Sequence, residues 1–144
     1  MIPVAVFERI VNDNELNSHG ITSSTVFELQ SVDERPLDTG YFVILNWQES
    51  SLFAPGRNSV NKAPRILTVW VHTPLDRSRD YAPIDRILNR IDSILLSIEQ
   101  EIGTDGVRVT CVTRQGRSAN LIDDGWKTIA RNATYGVLYD ESTA

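Results

Sequence analysis

Five acidic side chains in two short segments are the strongest candidates for chemistry in this sequence. Asp76, Asp80 and Asp85 fall within ten residues of one another, and Asp123 and Asp124 form a second pair. Carboxylates grouped in this way could hold the divalent cation of a small metal-dependent nuclease. Two arginines interleave with the first group, however, and Asp-Asp-Gly is also a tight-turn sequence. The nuclease is therefore the weaker interpretation, and metal binding measured by calorimetry would test it.

The two histidines and the single cysteine do not complete a catalytic or metal-binding pattern. Neither His19 nor His72 has a second histidine or cysteine at the spacing of a zinc site. His72 alternates with Trp70 in an apolar run, which predicts a place near the end of a strand, and Cys111 alternates with two valines, which predicts a small buried side chain. Phosphate-loop, nucleophile-elbow and Cys-x-x-Cys motifs do not occur. We therefore predict no enzyme, no metal and no cofactor.

Length and charge narrow the class of protein further. A chain of 144 residues is large enough for one domain with its own core. The formal net charge of −5 argues against a domain that binds the phosphates of nucleic acid, because such domains carry more basic than acidic residues. The apolar run at residues 65–72 is too short to span a membrane. We predict a single domain over residues 1–144 with no membrane partner.

The hydrophobic pattern predicts seven elements in the order α-β-β-β-α-β-β. Helices are predicted at residues 3–12 and 83–102, and strands at residues 25–30, 41–47, 65–72, 107–113 and 127–139. Trp47 and Trp70 lie in apolar strands and are predicted to be core residues. The expected fold is α+β, with a mixed, mostly antiparallel sheet and both helices packed on it.

The second predicted helix carries charged edges beside its apolar face. At about 100° per residue, three acids follow one edge, two bases follow the other, and one leucine lies on the polar side. These residues are Asp85, Asp92 and Glu99, then Arg86 and Arg90, then Leu96. A helix with one acidic and one basic edge can pair head to tail with copies of itself, which gives a ring where the rotation closes. We predict an interface here; the alternative is a solvated helix face.

Residues 48–63 form a long predicted loop without any periodicity. Leu52 and Phe53 lie inside it, where polar side chains would be expected, and we predict that they dock on a partner. The alternative is that both fold back onto their own domain. The polar tail at residues 140–144 and this loop are expected to be mobile when the protein is free.

A combined pattern of three segments runs through most of the chain. Residues 67–72 read LTVWVH, a short Asp/Arg loop follows, residues 81–91 read YAPIDRILNRI, and residues 123–137 read DDGWKTIARNATYGV. This pattern resembles the tail terminator proteins of long-tailed, siphovirus-type bacteriophages, most closely those of phages that infect actinobacteria.

The resemblance implies a structural virion protein. Members of that family form a six-membered ring on the head-proximal end of the tail tube, stop its polymerisation and present the surface that joins the filled head. The expected partners are therefore other copies of the chain, the major tail tube protein and a head-closure or neck protein, with genome DNA passing through the lumen without specific binding. The expected location is the tail–neck region of the virion, after assembly in the host cytoplasm. A head-closure or adaptor protein of the neck is the alternative.

Overall fold

The computed structural model describes residues 2–28, 35–36, 39–49 and 62–140, and these form one sheet with helices on it. The helices are α1 (Val4–Val11), α2 (Asn14–Ser18) and α3 (Ala82–Leu96). The strands are β1 (Val26–Phe27), β2 (Phe42–Glu49), β3 (Lys62–Pro74), β4 (Glu99–Ile102), β5 (Arg108–Arg117), β6 (Leu121–Asp123) and β7 (Thr128–Asp140). The seven predicted elements are present in the predicted order, and the short α2, β4 and β6 are additional.

The last strand of the chain lies near the centre of the sheet. The strand order is β1-β2-β3-β7-β5-β4, and β6 pairs with the first residues of β7. β3 and β7 pair along their full length, from Lys62 opposite Asp140 to Pro74 opposite Thr128. All pairs are antiparallel except β1 with β2. The predicted α+β class with a mixed, mostly antiparallel sheet is therefore confirmed.

One face of the sheet forms the core with the helices. Alternate residues of β7 point to this face, as the period of a strand requires, and they are Ile129, Ala133, Tyr135, Val137 and Tyr139. The apolar stripe of α3 covers them with Ile84, Ile87, Leu88, Ile91, Ile94 and Leu95. Each large aliphatic side chain buried here contributes about 1.5–3 kcal/mol. This packing fixes how α3 lies on the sheet.

The opposite face of the sheet corrects two predictions of burial. Trp47 is in the core as predicted, but Trp70 is only half-buried because it points to the opposite face. Cys111 is also half-buried rather than buried. A register shift between Val109 and Cys111 places Cys111 opposite Leu138, so the simple alternation of the strand fails there.

The second long helix is shorter than the helix predicted at residues 83–102. α3 stops at Leu96, and Glu99–Ile102 forms the edge strand β4, which pairs with β5. Gln100 has φ of 51°, a value outside the right-handed helical region. Ile98 is buried and Ile102 is exposed. Their helical spacing was therefore misleading, and residues 103–106 form the β4–β5 turn.

Both ends of the predicted loop and the first residue of the predicted tail belong to strands. Residues 48–49 belong to β2 and residues 62–63 to β3, while residues 50–61, with Leu52 and Phe53, lie outside the described residues. Asp140 ends β7, and residues 141–144 of the predicted tail also lie outside them.

Three contacts hold β4 and the β4–β5 turn against α1 and the residues at its start. The Val4 amide donates to Asp105 Oδ2 at 3.1 Å, and the Thr104 amide donates to Glu8 Oε1 at 2.9 Å. Arg9 Nη1 meets Glu101 Oε1 at 2.5 Å. These contacts hold the start of the chain against the edge of the sheet.

Gly103 allows this close approach, and an added methyl group should disturb it. A Cβ at Gly103 would lie 2.8 Å from the Ala5 amide nitrogen and 2.9 Å from Val4 Cγ1. We expect Gly103→Ala to lower the free energy of unfolding by about 1–3 kcal/mol, because the backbone of α1 must shift. Chemical denaturation measures this, with Gly116→Ala as the control, since a Cβ there meets no atom within 4 Å. Equal effects of the two variants would contradict the prediction.

Candidate functional site

Three of the five acidic residues of the nuclease hypothesis have a structural task, and the other two, Asp76 and Asp124, are exposed. Asp80 Oδ1 accepts a bond from the Ala82 amide at 3.0 Å, at the start of α3. Asp123 Oδ1 accepts from the Trp126 amide at 2.9 Å, which confirms the predicted turn. Asp85 pairs with Arg131 of β7. Over the described ranges, no group of three or more His, Cys, Asp or Glu side chains is placed to hold a metal ion.

His72 is enclosed by aromatic rings. Its ring stacks on Phe42 with centroids 5.0 Å apart and an angle of 4° between the planes, and Trp126 lies 5.1 Å away. Nδ1 is 2.8 Å from Thr128 Oγ1, at the start of β7. Burial lowers the pKa of His72 from 6.5 to about 4, against the opposing attraction of the Asp123 carboxylate. The predicted strand position is confirmed, and this histidine joins the β6–β7 turn to the sheet.

The acidic edge of α3 faces its own sheet. Asp92 is buried, accepts a hydrogen bond from Tyr135 Oη, and meets Arg117 Nη2 at 2.5 Å. Arg114 approaches the same carboxylate at 3.6 Å. Burial, followed by the bond to Asp92, raises the pKa of Tyr135. Asp92 and Asp85 are therefore engaged within the subunit.

The basic edge of α3 divides into one paired and one exposed arginine. Arg90 binds Asp13 with two bonds, Nη2 to Oδ1 at 2.7 Å and Nε to Oδ2 at 3.0 Å. This contact is the main cause that lowers the pKa of Asp13. Asp13 also caps α2 by accepting from the Leu16 amide at 3.0 Å. Arg86, one turn earlier, is exposed and has no ion pair or side-chain hydrogen bond among the described residues.

Leu96 and Glu99 lie at the end of α3 nearest the sheet edge. Leu96 is 45 % exposed on the last turn of the helix. Glu99 was predicted on the acidic edge of the helix, but it is the first residue of β4 and is exposed. Ile102 at the other end of β4 is 55 % exposed. The sequence pattern missed Ile102 because it assigned this residue to the buried stripe of a longer helix.

The arginines and the acid that occupy the edges of α3 were missed by the sequence analysis. Arg117 and Arg131 come from β5 and β7, and Asp13 comes from the start of α2. The excess of arginine over lysine favours bidentate ion pairs, but it does not indicate which acidic residues the arginines contact. Of the predicted interface residues in the described ranges, the structure leaves Arg86, Leu96 and Glu99 exposed.

Comparison with known proteins identifies a structural relative. No protein-family model and no curated protein sequence matches the chain. Its fold matches a chain in the solved structure of the virion of a native gene transfer agent particle, with a TM-score of 0.65 and 13 % sequence identity. The alignment covers 95 % of this chain and 92 % of that chain. The two chains share a fold. None of the helices in the described ranges is long and apolar enough to cross a lipid bilayer.

Proposed function

We propose that this chain is a structural protein of a phage-like virion that acts as the tail terminator. Six copies form a ring on the head-proximal end of the tail tube, stop its polymerisation and provide the surface for joining the head. The protein then resides in the tail–neck region of the virion after assembly in the host cytoplasm. Its partners are the major tail tube protein and a head-closure or neck protein.

The observation that carries this proposal is the extent of the structural match. The shared fold takes in 95 % of this chain and 92 % of the chain from the gene transfer agent virion. Nearly the whole of each chain is therefore the same domain, rather than a common module inside two different proteins. The likeness of three segments to tail terminators, noted above, supports the particular position in the virion.

The charge of the chain is compatible with a channel that lets DNA pass. A ring with a strongly basic lumen would retain duplex DNA through its phosphates. The chain has a net charge of −5, which six copies would multiply. We therefore expect genome DNA to travel through the ring without specific binding.

The proposal predicts a defined effect on tube growth. When the purified protein is added to polymerising tail tube protein encoded by the same genome, growth should stop, and electron micrographs should show a six-fold ring on one end of each tube. Particles assembled without the protein should carry tubes of uncontrolled length that lack heads. The length distribution of the tubes measures the effect. Tubes that grow normally in its presence and bind no ring would refute the proposal.

The same preparation separates a terminator from a head-closure or adaptor protein. A terminator binds the tube end before any head is present, whereas a head-closure protein binds the head and leaves the free tube uncapped. Gene order gives an independent check, because a tail terminator is expected directly before the major tail protein.

A further inference from the structure

Two exposed charged side chains, one on α3 and one on β4, have no charged partner among the residues that the structure describes. Arg86 and Glu99 are both exposed, and neither makes an ion pair or side-chain hydrogen bond within the described part of the chain. The other charged residues that were predicted on the helix edges are paired within the subunit. These pairs are Arg90 with Asp13, Asp85 with Arg131, and Asp92 with Arg117. The unmatched charges therefore mark two positions, one acidic and one basic.

Glu99 lies three residues from each of two exposed apolar side chains, and we call these three residues the β4 corner (Leu96, Glu99 and Ile102). Leu96 and Ile102 are two of the four large hydrophobic side chains that the described residues expose. β4 is also the last strand on its side of the sheet, so its outer edge has no strand beside it among the described residues. An edge strand with unpaired backbone groups, beside exposed apolar side chains, favours contact with another chain.

Arg86 stands in a shallow depression on the other side of the helix. The lining residues of this α3 depression are Glu15, His19, Arg86, Asn89, Arg90 and Ser93. Arg90 is neutralised by Asp13 at 2.7 Å and lies 3.5 Å from Glu15. Arg86 is thus the lining arginine whose charge is left for an incoming carboxylate.

The geometry of α3 prevents these two charges from meeting within one subunit. Arg86 lies on the side of the helix that bears Arg90 and faces α2, whereas Leu96 lies on the side that bears Asp85 and Asp92 and faces β5 and β7. The ten residues from Arg86 to Leu96 span about 15 Å along the axis. A pair between Arg86 and Glu99 therefore requires two molecules.

We propose that the β4 corner of one copy docks into the α3 depression of the next, with Glu99 against Arg86. This inference rests on the proposed ring and names the residues that would join its subunits. The contact is between two different surfaces, so repetition gives a ring where the rotation closes. Docking of one β4 corner against another would instead place Glu99 beside a second Glu99, and like charges repel. Leu96 and Ile102 lose their exposure in the docked pair.

Charge reversal and charge exchange test the pair directly. Arg86→Glu and Glu99→Arg should each weaken the association of subunits about tenfold or more per contact, because an attraction becomes a repulsion. The double variant Arg86→Glu/Glu99→Arg should restore association, and so should an equimolar mixture of the two single variants. Sedimentation velocity of the free protein and counts of rings on tube ends measure this. Circular dichroism confirms that each variant is folded.

Matched controls and the remaining outcomes separate this inference from the proposed function. Arg79→Glu and Asp124→Arg change the same charges at exposed sites away from both surfaces and should leave association unchanged. Rings that form normally in both single variants would overturn the inference and leave the tail terminator proposal intact. Rings of Glu99→Arg that form but no longer join the tube or neck protein would assign the β4 corner to that partner instead. Wild-type protein that stays monomeric, both free and with tubes, would overturn both proposals.

Discussion

Asp92→Ala should lower the free energy of unfolding by about 3–5 kcal/mol and leave little folded protein under mild heating. Asp92 is 8 % exposed and is the counter-ion of Arg117, whose side chain is 13 % exposed. Removal of the carboxylate leaves this guanidinium buried without a counter-ion, with only its bond to Asn89 Oδ1, and leaves Tyr135 Oη without its acceptor. The Nε of Arg117 is already buried without a hydrogen bond, so loss of Asp92 leaves a second nitrogen of the same guanidinium, Nη2, without its acceptor.

The pair on the same edge of α3 whose carboxylate is more exposed gives the control. Asp85 is 39 % exposed and pairs with Arg131. Asp85→Ala should therefore cost about 1 kcal/mol or less, as surface ion pairs do. Denaturant unfolding of the two variants gives the comparison.

Replacement of the whole network distinguishes charge burial from simple loss of packing. In Asp92→Leu/Arg117→Leu/Tyr135→Phe no buried charge remains, and much of the lost stability should return. If Asp92→Ala keeps the stability of the wild type and loses ring assembly, Asp92 contacts a neighbouring subunit, as the sequence alone suggested.

Asp92 shows that the sequence could predict the position of a side chain on the helix but not the partner of that side chain. Helical periodicity placed Asp85 and Asp92 correctly beside the apolar stripe of α3, because that depends only on spacing along the chain. Whether such an edge faces solvent, a second subunit or an arginine of the same domain depends on residues far away. Arg131 is 46 positions from Asp85, and Asp13 is 77 positions from Arg90.

The same distinction explains the elements that were predicted and the one that was misread. Long periodic segments such as α3 and β7 could be recognised because their own patterns are strong. The four residues of β4 read Glu-Gln-Glu-Ile, a sequence that fits a helix as well as a strand, and pairing with β5 decides between them. Three candidate residues stay exposed, namely Arg86, Leu96 and Glu99. The angular pattern of the predicted helix identified all three, although it placed Glu99 on the wrong element.

Acidification should destabilise this protein through His72 well before most carboxylates titrate. The pKa of His72 is about 4 in the folded protein, because of burial, and 6.5 in an unfolded chain. The unfolded state therefore binds a proton first as the pH falls. The contribution of neutral His72 is complete above about pH 6.5 and is lost progressively down to about pH 4. The total loss is about 3 kcal/mol, of which about 2 kcal/mol is already lost near pH 5.

A variant without the titrating ring isolates this effect from all other groups. His72→Phe/Thr128→Val keeps an aromatic ring against Phe42 and Trp126, and it removes the Thr128 hydroxyl that would otherwise lose its partner. The difference in unfolding free energy between wild type and this variant, measured by denaturant titration from about pH 7 to about pH 5, cancels the carboxylates that both share. We expect the wild type to lose about 2 kcal/mol more than the variant over this range.

One outcome would contradict the assignment of this pH dependence to His72. Parallel pH profiles for the wild type and His72→Phe/Thr128→Val would show that His72 takes up its proton equally easily in the folded chain. The β6–β7 turn would then have to open locally around the ring, because the attraction of Asp123 does not offset the cost of burying an imidazolium between Phe42, Trp70 and Trp126. Hydrogen exchange at the Thr128 and Ala130 amides would detect that opening.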